Sequence, residues 1–375
     1  MTGFVKCRLD EVADLSLGKM LDAAKNKGAE RPYLANVNVR WGEFDLSEPR
    51  TMRFEDRELA RFGLKAGDIV MCEGGEPGRC AIWKDDVPGM MFQKALHRVR
   101  VKAGVDHRFL YYALLLKGRS DGFQHLFTGA TIKHLPAEKL RLLEIDLPTY
   151  EVQSRIADRL SSIDDLIDNN RRRIKLLEDS VRLLFDEWFV RLRFPGHAST
   201  AVVDGVPHGW SRKPLRESAV LHYGKALKAD VRAEAGTVPV YGSSGIVGTH
   251  DKALVKGPGI IVGRKGNVGS VFWSSCDFYP IDTVYFLDAA TSDLYLHCAL
   301  QRMQFISTDV AVPGLNRDLA YSRPLLAPPG ALRSQFLDIA VAIHAQIDTL
   351  AAMNEKLRAA RDLLLPRLMS GEIEV

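Results

Sequence analysis

Glycine-rich turns carrying basic and amide side chains are the first chemistry visible in this chain. Gly242-Ser243-Ser244-Gly245 and Gly263-Arg264-Lys265-Gly266-Asn267-Val268-Gly269 join close backbone approach to Ser243, Ser244, Arg264, Lys265 and Asn267. Hydrogen-bond donors of that kind can meet base edges, while Lys and Arg meet phosphates. The counterpart in the first half is Glu73 to Arg79: Arg79 and Lys84 suit phosphate, and Glu73 could accept from cytosine N4. A second candidate surface is Thr128-Gly129-Ala130-Thr131-Ile132-Lys133-His134, matched by Thr308 to Asn316-Arg317; Thr131, Lys133, His134, Asn316 and Arg317 supply its polar tips. Each residue also has a plainer reading. The glycines suit ordinary hairpin turns that need positive φ. Glu73 suits a solvated or core-paired carboxylate, His134 a surface histidine and Asn316 a helix cap.

A catalytic reading starts from Asp164, Asp165 and Asp168, since metal-dependent hydrolysis needs carboxylates converging on a cation. Those three also follow the spacing of a charged helix face. The sequence contains no GxxxxGK[ST] phosphate loop, no HExxH pair, no dinucleotide-type GxGxxG after a strand and no Asn-Pro-Pro-aromatic methyltransferase site. Five cysteines with no CxxC spacing argue against a disulfide framework or a zinc site. The reading is of a chain without an active site.

What must position these turns is a pair of long helices. From Glu151 to about Arg193, apolar residues recur every three or four positions, through Ile163, Ile167, Leu177 and Leu184, with Asn170 as a polar interruption. Such a stripe requires a partner helix to leave water. An offset of 180 residues finds it: Ile343, Ile347, Leu357 and Leu364 repeat the seam, and Asn354 interrupts it. Antiparallel pairing that sets Val152 against Leu368 brings Asn354 level with Leu166, one turn from Asn170, so the two asparagines read as register control or as residues that reach water.

The repeat extends beyond the helices. Leu9, Gly18 and Lys19 fall on Leu215, Gly224 and Lys225 at an offset of 206, and Gly75, Gly78 and Trp83 on Gly266, Gly269 and Trp273 at about 190. The sequence therefore predicts an α+β protein with two similar globular domains in pseudo-twofold arrangement, separated by two long antiparallel helices forming a coiled coil. The expected boundaries are 1–148 for the first globule, 149–193 for the central helix, 194–208 for a linker, 209–329 for the second globule and 330–375 for the C-terminal helix. A helix of about 40 residues spans about 60 Å, against about 34 Å for a turn of B-DNA.

A net charge of +4 allows nucleic acid as a partner without demanding it. No apolar run approaches the ~20 residues of a membrane span, and no signal-peptide core is evident near the start. The expectation is a cytoplasmic protein with no membrane partner.

The chain resembles the specificity subunit of Type I restriction-modification enzymes. The resemblance is carried by GDIVMCEGGEPGRCAIW at Gly67 to Trp83, by VPVYGSSGIVG at Val238 to Gly248, by GIIVGRKGNVGSVFW at Gly259 to Trp273, and most specifically by the run from Asn354 to Ile373. It departs at Tyr150-Glu151-Val152-Gln153, where two acidic residues usually precede Gln, and in a linker without short repeats. The resemblance implies two target recognition domains on double-stranded DNA, each reading a short half-site across an unspecified gap. It also implies two docked modification subunits that methylate adenine N6, with restriction subunits as further partners. S-adenosylmethionine, ATP and Mg would then reside on those partners, and this chain would bind no cofactor. Two other classes remain: a metal-dependent nuclease, and a coiled-coil scaffold that binds only proteins.

Overall fold

The computed structural model describes residues 3–20, 22, 26–129, 131–229, 232, 236–305 and 314–374. They form two compact units, residues 1–168 with 354–375 (unit 1) and residues 169–353 (unit 2).

Unit 1 contains β1 (Val5–Arg8), α1 (Leu9–Val12), β2 (Ala13–Leu17), β3 (Ala29–Leu34), β4 (Arg50–Phe54), α2 (Asp56–Phe62), β5 (Ile69–Cys72), β6 (Cys80–Ile82), β7 (Met91–Phe92), β8 (Leu96–Val101), α3 (His107–Arg119), α4 (Ala137–Arg141), β9 (Glu144–Leu147) and the start of α5 (Tyr150–Phe185). One sheet runs β2-β8-β5-β6 with antiparallel neighbours. The run Ile69-Val70-Met71-Cys72 is apolar throughout because β5 is buried at every position. A second sheet, β4-β3-β7, mixes an antiparallel with a parallel pairing, and β1 pairs antiparallel with β9. Asp106 starts α3 by accepting the Arg108 and Phe109 main-chain N–H groups. The buried run Phe109 to Leu115 then packs with Ile156, Ala157 and Leu160 of α5 and with Leu365 and Leu368 from the last helix.

Unit 2 follows with the rest of α5, β10 (Val202–Val203), β11 (Val206–Pro207), β12 (Ser211–Pro214), β13 (His222–Tyr223), β14 (Val238–Gly242), β15 (Gly245–His250), β16 (Gly259–Gly263), β17 (Val271–Ser274), β18 (Tyr279–Pro280), β19 (Val284–Leu287), α6 (Leu294–Arg302), α7 (Arg317–Ser322), β20 (Pro324–Ala327) and the start of α8 (Gly330–Met369), which ends in unit 1. Its sheets repeat those of unit 1 strand for strand. β13-β19-β16-β17 matches β2-β8-β5-β6, β15-β14-β18 matches β4-β3-β7, and β12-β20 matches β1-β9. The β10-β11 hairpin is an addition. Its core gathers Val181, Phe185, Phe189, Tyr295, Phe336 and Ala340, with Phe336 edge-on to both Phe185 and Phe189.

Both long helices are continuous, at 36 residues for α5 and 40 for α8. α5 ends in a π-type turn, Asp186–Val190, that the heptad pattern did not foretell. Within unit 1 the helix segments run antiparallel: Asn354 Nδ2 donates to the Ile167 carbonyl at 3.5 Å, and Arg361 donates to Asp164 at 2.6 Å. Ile167, Ile347, Asn170 and Asn354 are buried, while Ile163, Leu177, Leu184, Ile343, Leu357 and Leu364 are half-buried.

One expectation has to be narrowed. α8 is long and apolar enough, by length and composition, to cross a membrane. Alanines scattered among Leu, Ile and Val raise its average without forming an unbroken apolar run. The same helix places Phe336 in one core and Leu368 in the other.

Candidate nucleic-acid interface

In each unit, loops far apart in sequence meet at one end of the main sheet. In unit 1 the turn between β5 and β6 is closed by main-chain bonds from Cys72 N–H to Arg79 O and from Gly78 N–H to Cys72 O, at 2.8 and 2.9 Å. Gly78 takes φ +92°, and a Cβ there would lie 2.7 Å from the Phe123 ring, so this turn requires glycine. The loop before α4 is fastened to the turn, because Leu135 N–H donates to Glu73 O at 2.8 Å and Gly74 bridges His134. A third loop joins through Asn36, whose Nδ2 donates to Gly74 O at 3.4 Å.

Unit 2 repeats the arrangement. Leu315 N–H donates to Arg264 O at 2.8 Å, and Lys265 bridges Gly314. The β14-β15 turn joins through Ser243, whose Oγ accepts from Asn267 N–H at 3.4 Å and whose carbonyl accepts from Ser270 Oγ at 2.6 Å. Among the described residues, the two candidate surfaces of each unit therefore meet.

Both loops before the short helices are pinned from beneath. His97 Nε2 lies 2.7 Å from the Leu135 carbonyl oxygen, and the Tyr285 hydroxyl donates to the Leu315 carbonyl at 3.0 Å. His97 and Tyr285 hold the same register, each at the centre of the row Leu17-His97-Met71 or Tyr223-Tyr285-Val262. Burial lowers the His97 pKa, which keeps the ring neutral with one N–H to donate. Burial also pushes the Tyr285 hydroxyl up to about 12, against the pull of Arg264 and Arg317, so it remains a donor.

The candidate side chains divide by exposure. Thr131, Lys133, His134, Ser244, Lys265, Asn267, Asn316 and Arg317 are exposed; Glu73 and Arg264 are half-buried, and Ser243 is buried. Lys133 Nζ rests 5.7 Å from the Phe127 ring centroid. Asn316 caps α7, accepting from the Asp318 and Leu319 N–H groups through its side chain. Arg79 and Lys84, the phosphate candidates of the first half, are engaged inside unit 1. Arg79 donates to Glu76 at 2.5 Å and to Asn36 O at 3.0 Å, and Lys84 pairs with Asp168 at 3.2 Å. Ala130 and Thr308 to Pro313 lie outside the described residues.

Sequence reasoning missed two residues here. Asn36 precedes Ser243 by 207 residues, the offset that already relates Pro32 to Pro239, so its role was recoverable from the repeat. Tyr223 carries Arg317 and Arg264 on its ring, with guanidinium carbons 5.2 and 5.4 Å from the centroid. Only the register of β13 against β19 reveals that.

The aspartate cluster on α5 points to separate partners. Asp164 accepts from Arg361 at 2.6 Å and from the Tyr112 hydroxyl at 2.7 Å, while Asp165 and Asp168 face Lys84. Among the described residues no group of three or more His, Cys, Asp or Glu side chains could hold a metal ion.

Residues 1–179 and 207–318 match the family described as the Type I restriction modification DNA specificity domain. Over 348 residues the chain is 23% identical to the Type I restriction enzyme MjaIX specificity subunit of Methanocaldococcus jannaschii, spanning 82% of this chain and 78% of that one. It is 28% identical over 186 residues to the MjaVIII specificity subunit of the same organism, covering 48% of this chain and 44% of that one. A solved S subunit of a Type-I restriction-modification system from M. genitalium shares the fold, with a TM-score of 0.55 at 20% identity over 97% of this chain and 96% of that one.

Proposed function

Because this chain belongs to the Type I restriction modification DNA specificity family, we propose that its two loop clusters are the DNA-reading surfaces, one for each half of a bipartite target. It is the non-catalytic specificity subunit of the complex. The observation that carries the reading is the threefold convergence of loops at the same place in two units of identical strand order. A duplicated reader fits a target with two half-sites, and exposed Lys133, Lys265 and Arg317 beside amide and hydroxyl groups fit phosphates and base edges together. Arg79, bound to Glu76 and the Asn36 carbonyl, braces the loop cluster, and Lys84 ties the chain after β6 to α5.

The division into globules 1–148 and 209–329, helices 149–193 and 330–375, and linker 194–208 belongs to the same proposal, as does a gap between half-sites set by the helices. Modification subunits dock on the helices, where Leu176, Leu183, Val341 and Leu363 are exposed on α5 and α8. These subunits supply S-adenosylmethionine chemistry at adenine N6, and restriction subunits supply the ATP- and Mg-dependent steps. The protein works in the cytoplasm. Gel-shift titration of the full chain with and without modification subunits, on duplexes carrying the target, tests the reading. Sequence-selective binding that weakens steeply with salt supports it. Turnover by this chain alone points instead to a nuclease, and subunit binding without DNA binding points to a scaffold.

A further inference from the structure

Tyr223 and the two arginines on it differ from everything at the equivalent place in unit 1. The row Tyr223-Tyr285-Val262 corresponds by strand register to Leu17-His97-Met71. Two residues beyond Val262 and Met71 stand Arg264 and Glu73, each giving its carbonyl to the leucine of the neighbouring loop. Two residues beyond those leucines stand Arg317 and Ala137. Unit 2 therefore carries two guanidinium groups and an aromatic ring where unit 1 carries a carboxylate, a methyl group and Leu17.

Both arginines rest on the Tyr223 ring. Arg264 lies 5.4 Å from the Tyr223 centroid and 5.8 Å from that of Tyr285, with Nη2 donating to the Asp282 carbonyl at 2.7 Å. Arg317 meets the same Tyr223 ring at 5.2 Å. Among the described residues neither forms an ion pair, so two like charges share one ring. The ring offsets part of that repulsion, and the arrangement gains most when an electron-rich acceptor meets it. Tyr223 itself is 53% exposed, so the stack opens to solvent.

We propose that Tyr223 is a positioning residue that sets Arg264 and Arg317 to read a guanine in the half-site of unit 2, through the O6 and N7 acceptors of its major-groove edge. This rests on the DNA-reading function proposed above and deepens it. An arginine fork can grip either a phosphate or a guanine edge; set on a ring at the loop cluster, it matches the planar O6 and N7 pair, and salt dependence separates the two. At the same register unit 1 offers Glu73, which cannot donate to those acceptors when ionised. The two half-sites consequently differ in base content at the corresponding position.

The test uses the full chain with its modification subunits on duplexes bearing the mapped target, each guanine replaced in turn by 7-deazaguanine, which lacks the N7 acceptor. For the wild type, one replacement weakens binding roughly tenfold. Tyr223→Leu binds the unmodified target about tenfold more weakly and no longer responds to that replacement, whereas Tyr223→Phe, which keeps the ring, behaves as wild type. Arg317→Lys keeps the charge, loses the fork and shows the same guanine-specific loss, which covers the case in which Tyr223→Leu fails to fold. The inference is overturned if no replacement distinguishes wild type from Arg317→Lys. A loss equal on all sequences with a shallower salt dependence overturns it too, since that marks a phosphate contact. If the wild type shows no sequence-selective binding, the DNA-reading function itself falls.

Discussion

The His97 imidazole supports the Leu135 main chain from beneath, Nε2 to carbonyl oxygen at 2.7 Å, and so ties the centre of a sheet to a loop that faces solvent. His97→Leu orphans that buried carbonyl and is expected to cost about 1–3 kcal/mol. Because the next residues outward are His134 and Lys133, the variant also weakens DNA binding. Denaturant unfolding beside a gel-shift titration checks both effects.

The histidine of α6 sets an acid limit on unit 2. His297 is buried with neither ring nitrogen hydrogen-bonded, beside Trp273, and burial lowers its pKa to about 3, with His344 adding to the shift. Its folded pKa lies below the ordinary 6.5, so its share of stability is complete above 6.5. It is lost as pH falls toward 3, at about 1.4 kcal/mol per pH unit for one proton. Leu110 holds the corresponding place in α3, four residues after the capping aspartate. His297→Leu should therefore be neutral or stabilising at pH 7 and should flatten the acid slope. Thermal unfolding of both proteins between pH 4 and pH 7 decides the matter.

Gly78 turns the chain at φ +92° with Phe123 only 2.7 Å from where a Cβ would stand. Gly78→Ala combines a left-handed backbone with a clash against a core ring, and an expected cost of roughly 2–4 kcal/mol follows. Gly269, at φ +81°, leaves 3.2 Å to Phe305 Cβ, so Gly269→Ala costs less. Equal losses for the two variants on denaturant unfolding would contradict the geometry.

Much of this was legible in the sequence because the chain says it twice. The 180-residue offset exposed the paired helices, and the offsets near 190 and 206 exposed matching turns, since glycine at positive φ and an apolar helix stripe leave marks in residue type. Side-chain pairing leaves no such mark. Lys84 meets Asp168 from 84 positions away, and Tyr223 meets Arg264 and Arg317 only through strand register. The π-type turn at Asp186–Val190 was hidden because its apolar residues continue the helical spacing.

Asn354 is buried in the seam with Nδ2 directed at the Ile167 carbonyl. If it and Asn170 control register, replacing both by Leu preserves folding but broadens helix pairing, visible as mixed species in native mass spectrometry. A single, more stable species would contradict that role.

The central claim is that each unit reads its own half-site. Its most direct test maps methylated adenines across the genome of a host expressing this chain with its modification subunits, once as wild type and once with Lys265→Ala and Arg317→Ala together. The account predicts one bipartite motif with a fixed gap for the wild type, and degeneracy confined to one half in the variant. A contiguous motif, or equal degradation of both halves, would contradict it.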